Sequence, residues 1–385
     1  MGKQKNRINP FVIGKYVSDE FFCDREQETE LMKKQILNGR NMTLIADRRI
    51  GKSGLISHVF AQTDIQKNYC TISVDLYSTG CLAEMVCMFS KEVYRQVRSQ
   101  SSSWGDKFFQ VISSLRMGFK LDSITGSPTF DVGIGDIAAP AMTIEQIFDF
   151  LEMSEKPCIV AFDEFQQIST YPEKNVEALL RTYIQRCKKT QFVFAGSRKH
   201  LMTQMFLSPA KPFYLSTINL GLEPIPCETY IDFAKSMFQK GDKGISAEVV
   251  KQVYDSFHGV TWYMQLMMNE MYVLTHEGEV CDMEMFDMAL QNILRIQEPF
   301  YRELLANLPM RQKELLLAIV KDGIVGNIMS NEFIRKHSLQ SSSSVQSALN
   351  GLQDKELVVC EAGGAWRVYD TFLEQYVIHS NEWAI

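Results

Sequence analysis

Short apolar runs alternate with helical patterns through residues 1–226, and that alternation predicts a parallel sheet covered by helices on both faces. Met42–Ala46, Thr71–Leu76, Cys158–Phe162 and Gln191–Gly196 read as strands, with Phe213–Leu220 as a candidate fifth. Residues 158–162 are apolar at every position, as in a central strand buried on both sides. Residues 82–98 and 143–153 have helical spacing, the latter through Ile144, Ile147, Phe148 and Leu151. Between them Ser99–Ser103 is a polar break, and Phe119–Ile134 alternates around Gly126-Ser127-Pro128 as a β-hairpin does. The expectation is an α/β domain over 1–226 with an insertion at 99–142.

From Cys227 the pattern turns helical, in Tyr230–Phe238, Ala247–Phe257, Thr261–Thr275 and Met283–Leu294, which predicts a small all-α domain over 227–308. After Pro309 come helices near Gln312–Lys321, Ser330–His337 and Ser343–Lys355. Two short strands follow, Leu357–Cys360 and Trp366–Tyr369, about a turn at Glu361–Gly364. Three helices and a two-stranded wing make a winged helix over 309–385. Ser341–Ser344 reads as an N-cap run before the third helix, and no internal repeat is visible.

At 385 residues the chain has room for two or three domains. A formal charge of −6 gives no global basic field for nucleic acid. The nine cysteines lack C-x-x-C or Cys/His ligand spacing and read as reduced thiols. Six histidines form no pair at ligand spacing, and Met264, Met267, Met268 and Met271 read as adaptable core. No apolar run is long enough to span a bilayer. The basic start Met1–Arg7 lacks the apolar stretch of a secretory signal, so the cytoplasm is the expected location and no membrane partner is expected.

The chemistry concentrates at the ends of the predicted strands. Ala46-Asp47-Arg48-Arg49-Ile50-Gly51-Lys52-Ser53, followed by Gly54, fits G-x-x-x-x-G-K-[ST] apart from its first position. Such a loop turns backbone N–H groups toward phosphates at a helix N-terminus, and these nine residues are the expected nucleotide-binding set. Lys52 is expected on the β- and γ-phosphates and Ser53 on Mg²⁺. If the first position requires positive φ, Ala46 costs about 1 kcal/mol there. Arg48 and Arg49 either complement phosphate or are solvated. Ile159–Glu164 is an apolar strand ending in two carboxylates: Asp163 is expected to hold Mg²⁺ and Glu164 to activate water. Ser197, after the next strand, is the candidate to sense the γ-phosphate or hold the water, with Arg198 beside it. No N-K-x-D guanine signal is present, which leaves adenine by elimination.

Together these residues resemble the archaeal-type ATPase family within the STAND and AAA+ superfamily of P-loop NTPases. Phe22-Cys23-Asp24-Arg25-Glu26 is similar to that family's F-x-G-R-E box, a segment that packs near adenine, with Asp24 for the glycine. Arg48-Arg49 and Gly51-Lys52-Ser53 match its G-x-R-R-x-G-K-[ST] loop. Asp163-Glu164 and Gly196-Ser197 match its D-E and G-S elements. His258–Met264 is similar to G-G-x-P-x-Y-L with Thr261 for the proline, and Tyr369–Leu373 resembles the acidic-aromatic motif after the wing. The resemblance covers the chain outside roughly 99–142.

The function expected from this reading is an ATP- and Mg²⁺-binding switch that hydrolyses ATP slowly to ADP, because no arginine finger is assignable. Self-association supplying Arg198, Arg181 or Arg186 would speed it, and a protein partner or a second copy is expected. The alternative is a DNA-binding regulator in which nucleotide is structural. Against it, the helix Ser343–Lys355 has Lys355 as its only cation, where phosphate contacts need several; Arg335, Lys336 and His337 precede it. A winged helix acting as a lid is the preferred reading. A scaffold that has lost ATP binding would draw on Ala46 and Asp24 alone.

Overall fold

Alternate residues of the strands serve opposite faces, and this builds the first half of the molecule. The computed structural model describes residues 9–14, 16–100, 104–105, 107–108, 120–121, 128–129, 137, 139–361 and 363–380. They form two compact units: Gly14–Pro224, and a second made of Met1–Ile13 with Ile225–Ile385. Among the described residues no helix is long and apolar enough to cross a membrane.

The Gly14–Pro224 unit runs α1 (Glu26–Leu37), β1 (Met42–Ile45), α2 (Lys52–Ala61), α3 (Thr63–Asn68), β2 (Cys70–Asp75) and α4 (Leu82–Gln100). It continues with β3 (Lys120–Leu121), β4 (Pro128–Thr129), α5 (Pro140–Glu152), β5 (Cys158–Asp163), α6 (Val176–Arg186), β6 (Gln191–Gly196), α7 (Lys199–Leu207) and β7 (Ile218–Gly221). Five strands form a parallel sheet in the order β2-β5-β6-β1-β7. On β5, Ile159 and Ala161 join Leu44, Val193 and Ala195 in the core beneath α1 and α2. Val160 and Phe162 face the other way, into a core shared with α4, α5, α6 and α7. Phe162, Phe194, Phe206 and Phe213 fill that second core with ring centroids 5.2–6.2 Å apart.

The predicted fifth strand is shorter than Phe213–Leu220. Phe213 is fully buried against Phe165, Phe194 and Phe206, and the chain turns there, with Ser216 N donating to its carbonyl. Only Ile218–Gly221 pairs with β1. β3 and β4 pair antiparallel within the predicted hairpin. The rest of Phe119–Ile134, Ser101–Ser103 of the polar break and the basic start Met1–Arg7 lie outside the described residues.

In the second unit, residues 9–13 precede α8 (Cys227–Lys240), β8 (Gly244–Ile245), α9 (Ala247–Ser256), α10 (Thr261–Leu274), β9 (Val280–Cys281) and α11 (Met283–Ala306). The helix expected over Met283–Leu294 runs on to Ala306 through Pro299. The buried face that includes Phe286, Leu290, Ile293, Tyr301 and Leu305 outweighs the one lost hydrogen bond. Then come α12 (Met310–Asp322), α13 (Asn331–Lys336), α14 (Ser342–Asp354), β10 (Val358–Cys360), β11 (Trp366–Val368) and α15 (Thr371–His379). β10 and β11 pair antiparallel as a wing. Ser341 caps α14 by accepting from Ser344 N, and Asp370 caps α15 by accepting from Phe372 N and Leu373 N.

Candidate active site

The carboxyl ends of β1, β5 and β6 bring the predicted chemistry together, as expected of a parallel sheet at the point where strand order reverses. In the loop after β1, positive φ falls on Arg49 (+65°) and Gly51 (+104°), and not on Ala46. Ala46 is fully buried in the core under α2, so its methyl is packed without backbone strain. Ile50 is buried in the same core, and Gly54 leaves room beside Phe22.

Lys52, the first residue of α2, is 5% exposed and donates to the carbonyls of Ala46 (3.2 Å) and Asp47 (2.9 Å). Burial holds its pKa below the usual lysine value, against the opposing pull of Glu164, Asp163 and Asp47. Ser53 donates its hydroxyl to Asp163, at the end of β5. Burial raises the Asp163 carboxyl above the ordinary aspartate range, and the Ser53 hydrogen bond partly offsets this. The adjacent Ser53 hydroxyl and Asp163 carboxylate are hard oxygen donors, the set that suits Mg²⁺ completed by phosphate and water.

Glu164 takes the left-handed conformation (φ +51°), turning the chain from β5 into a 3₁₀ turn over Phe165–Thr170. Its Oε2 accepts from Ser197 Oγ at 2.6 Å and from Gln166 Nε2. Arg48 Nε in turn donates to Ser197 Oγ (3.1 Å), and the Arg48 guanidinium lies 5.7 Å from the Tyr77 ring centroid. Asp47 pairs with Lys199 at 2.9 Å. The loop, the two carboxylates and Ser197 therefore form one connected cluster. Arg181 donates to the Pro212 carbonyl and Arg186 pairs with Glu145, both of them outside this cluster. Arg198 precedes α7 and makes no side-chain cap there. Gln166 is the member that sequence reasoning missed; its signal is a polar residue two positions after Glu164 in an apolar turn.

Asp24 and Arg25 both have positive φ (+60° and +80°). Arg25, nearly buried, pairs with Glu28 (2.8 Å) and donates to the Glu223 carbonyl (2.7 Å). Phe22 stacks on His58 of α2 at 4.2 Å. In the second unit His258 and Gly259 likewise have φ of +52° and +69°, and His258 Nε2 lies 3.0 Å from buried Glu374 of α15.

A parallel five-stranded sheet with this loop opening α2, followed by helices and a winged helix, is the P-loop NTPase fold. Two solved structures show how far the likeness extends. The Walker-type ATPase PABY2304 of Pyrococcus abyssi superposes with a TM-score of 0.65 at 17% identity, over 95% of this chain and 99% of that one. The ORC2 protein of Aeropyrum pernix, in ADPNP–ADP complexes, gives 0.59 at 12% identity over 96% of both. At these identities the likeness is one of fold. The family described as "Probable winged helix domain" matches residues 299–379, from within α11 to the end of α15. No curated protein matches the sequence.

Proposed function

We propose that the chain is an ATP-binding P-loop ATPase that acts as a nucleotide-dependent conformational switch and hydrolyses ATP slowly. One observation carries this reading: Lys52, Ser53, Asp163, Glu164 and Ser197 meet at the carboxyl ends of β1, β5 and β6. Lys52, already buried and facing carbonyl oxygens, exchanges those partners for phosphate oxygens. Ser53 and Asp163 would hold Mg²⁺, which supplies charge neutralisation on the phosphates when bound. Glu164 takes the proton of the attacking water, and Ser197 orients the carboxylate and the γ-phosphate side of the site. The ADPNP and ADP of the A. pernix ORC2 structure support an adenine nucleotide.

Slow turnover is expected because no arginine finger is assigned: Lys52 serves phosphate, Arg48 is engaged with Ser197 and Lys199 is paired with Asp47, and a protein partner or a second copy would supply the finger. In this reading 227–308 is a helical lid and 309–385 a winged-helix domain that reports nucleotide state in the cytoplasm. The alternative of a DNA regulator draws less support. The exposed face of α14 presents Ser343, Gln346, Ser347, Asn350 and Gln353, and Lys336 is paired with Asp322.

Mg²⁺-dependent binding and turnover of ATP by wild type, Lys52→Ala and Glu164→Gln, over a range of protein concentrations, tests the assignment. Lys52→Ala should lose binding. Glu164→Gln should bind ATP but lose turnover by roughly 10²–10⁴-fold. A wild type that binds no ATP would end the reading.

A further inference from the structure

Gln166 is 2% exposed, yet it is a primary amide in a turn whose neighbours Phe165 and Ile168 are core. Its Nε2 donates to Glu164 Oε2, the same oxygen that accepts from Ser197, so these two side-chain donors hold one oxygen of the carboxylate. The amide Oε1 is buried without a hydrogen-bond partner. Leaving an acceptor unpaired in the interior is costly, and such groups persist where another demand fixes them. The second observation comes from β6. A Cβ on Gly196 would lie 2.3 Å from Gln166 Oε1 and 2.5 Å from Met202 Cγ and Sδ. The residue before Ser197 is thus a glycine at the place where any side chain would drive into the Gln166 amide.

Resting on the assignment of Glu164 as base, we propose that Gln166 is a positioning residue for it and that Gly196 is glycine to admit the Gln166 amide. Together Gln166 and Ser197 pin Oε2 and thereby set the direction of Oε1, the oxygen left to meet water. A carboxylate on a rotatable stem gains little as a base unless held in the productive orientation. Gln166 touches neither water nor phosphate in this scheme; it acts through Glu164.

The test compares full-length wild type with Gln166→Ala, Gln166→Met, Gly196→Ala, the Gln166→Ala/Gly196→Ala pair and Glu164→Gln. It reads kcat for ATP, Kd for ADPNP with Mg²⁺, and the thermal midpoint without nucleotide. Gln166→Met fills the space of the amide but donates nothing, so it keeps the midpoint while losing kcat roughly 10- to 100-fold, as loss of an outer-shell orienting bond does. Kd stays at the wild-type value. Gly196→Ala loses kcat similarly alone; in the Gln166→Ala background it adds little further loss of kcat, and its remaining contact with Met202 is read in the thermal midpoint instead. If Gln166→Met keeps wild-type kcat while Glu164→Gln is inactive, the positioning role is wrong and the base assignment stands. A Kd that weakens in step with kcat would mark general collapse of the site and also overturn it. Full additivity of the pair would remove Gly196 from the scheme. Wild-type turnover by Glu164→Gln, or no ATP turnover by wild type, would sink the base assignment and this inference with it.

Discussion

At the scale of single residues, this chain departs from glycine at three positions, with different consequences. Ala46 lacks positive φ and is packed in the core. Ala46→Gly should therefore leave ADPNP affinity unchanged and cost about 0.5–1 kcal/mol of stability, as a glycine replacing a buried alanine does; a tighter Kd would show that the methyl obstructs phosphate. Asp24 and His258 do occupy left-handed backbone. Aspartate tolerates that region better than most residues, so denaturant titration of Asp24→Gly should give a change within about 1 kcal/mol, on the stabilising side. The sequence showed Lys52, Ser53, Asp163 and Glu164 because each sits in a motif tied to a strand end. It did not show Gln166, whose amide packs directly against Gly196, a property of packing that no spacing records.

At the scale of elements, strands were the most legible feature, since runs such as 158–162 are apolar on both faces. Helices with narrow stripes were not: α1 buries only Thr29, Met32, Gln35 and Ile36, and such a face gives weak periodicity. Phe213 misled the reading because a core anchor in a turn has the same composition as a strand residue. Between α12 and α13, Asp322 pairs with Lys336 at 2.6 Å and His337 at 3.1 Å. Lys336, and then His337, hold its carboxyl below the ordinary aspartate range. A depressed carboxylate pKa gives stability that is present above the unfolded value and lost as pH falls through the native one. Asp322→Asn should accordingly lower the stability read by urea titration near neutral pH, by no more than about 1 kcal/mol because Lys336 is largely exposed. The difference should close as pH drops below about 3.9; a gap that persists in acid would exclude the ion pairs as its source.

At the scale of the whole molecule, the informative residue is Phe11. It is fully buried in the second unit, against Phe233, Phe238 and Tyr272. Two reciprocal bonds fasten the same segment: Asn9 Nδ2 donates to the Asn269 carbonyl (2.9 Å), and Asn269 Nδ2 to the Phe11 carbonyl (2.7 Å). Phe11→Ala should destabilise that unit by about 3–5 kcal/mol in a denaturant titration, while Gly14–Pro224, which has cores of its own, stays folded. Nothing in the first residues announced this, since an apolar run as short as Phe11-Val12-Ile13 has no period to read.

The split membership of the second unit also bears on the order in which the chain matures on the ribosome. Residues 9–13 emerge ahead of Gly14–Pro224, but their partners on α8 and α10 are made only after Pro224. Gly14–Pro224 is a continuous segment that folds from what has already emerged, and domains generally fold as units during synthesis. The Phe11 side chain must wait in solvent through all of that interval, without its pocket. Nascent chains arrested once Pro224 has cleared the ribosome should therefore show a protease-resistant Gly14–Pro224 unit with a cleavable segment before it, and cleavage before Gly14 should disappear only once α10 has been released.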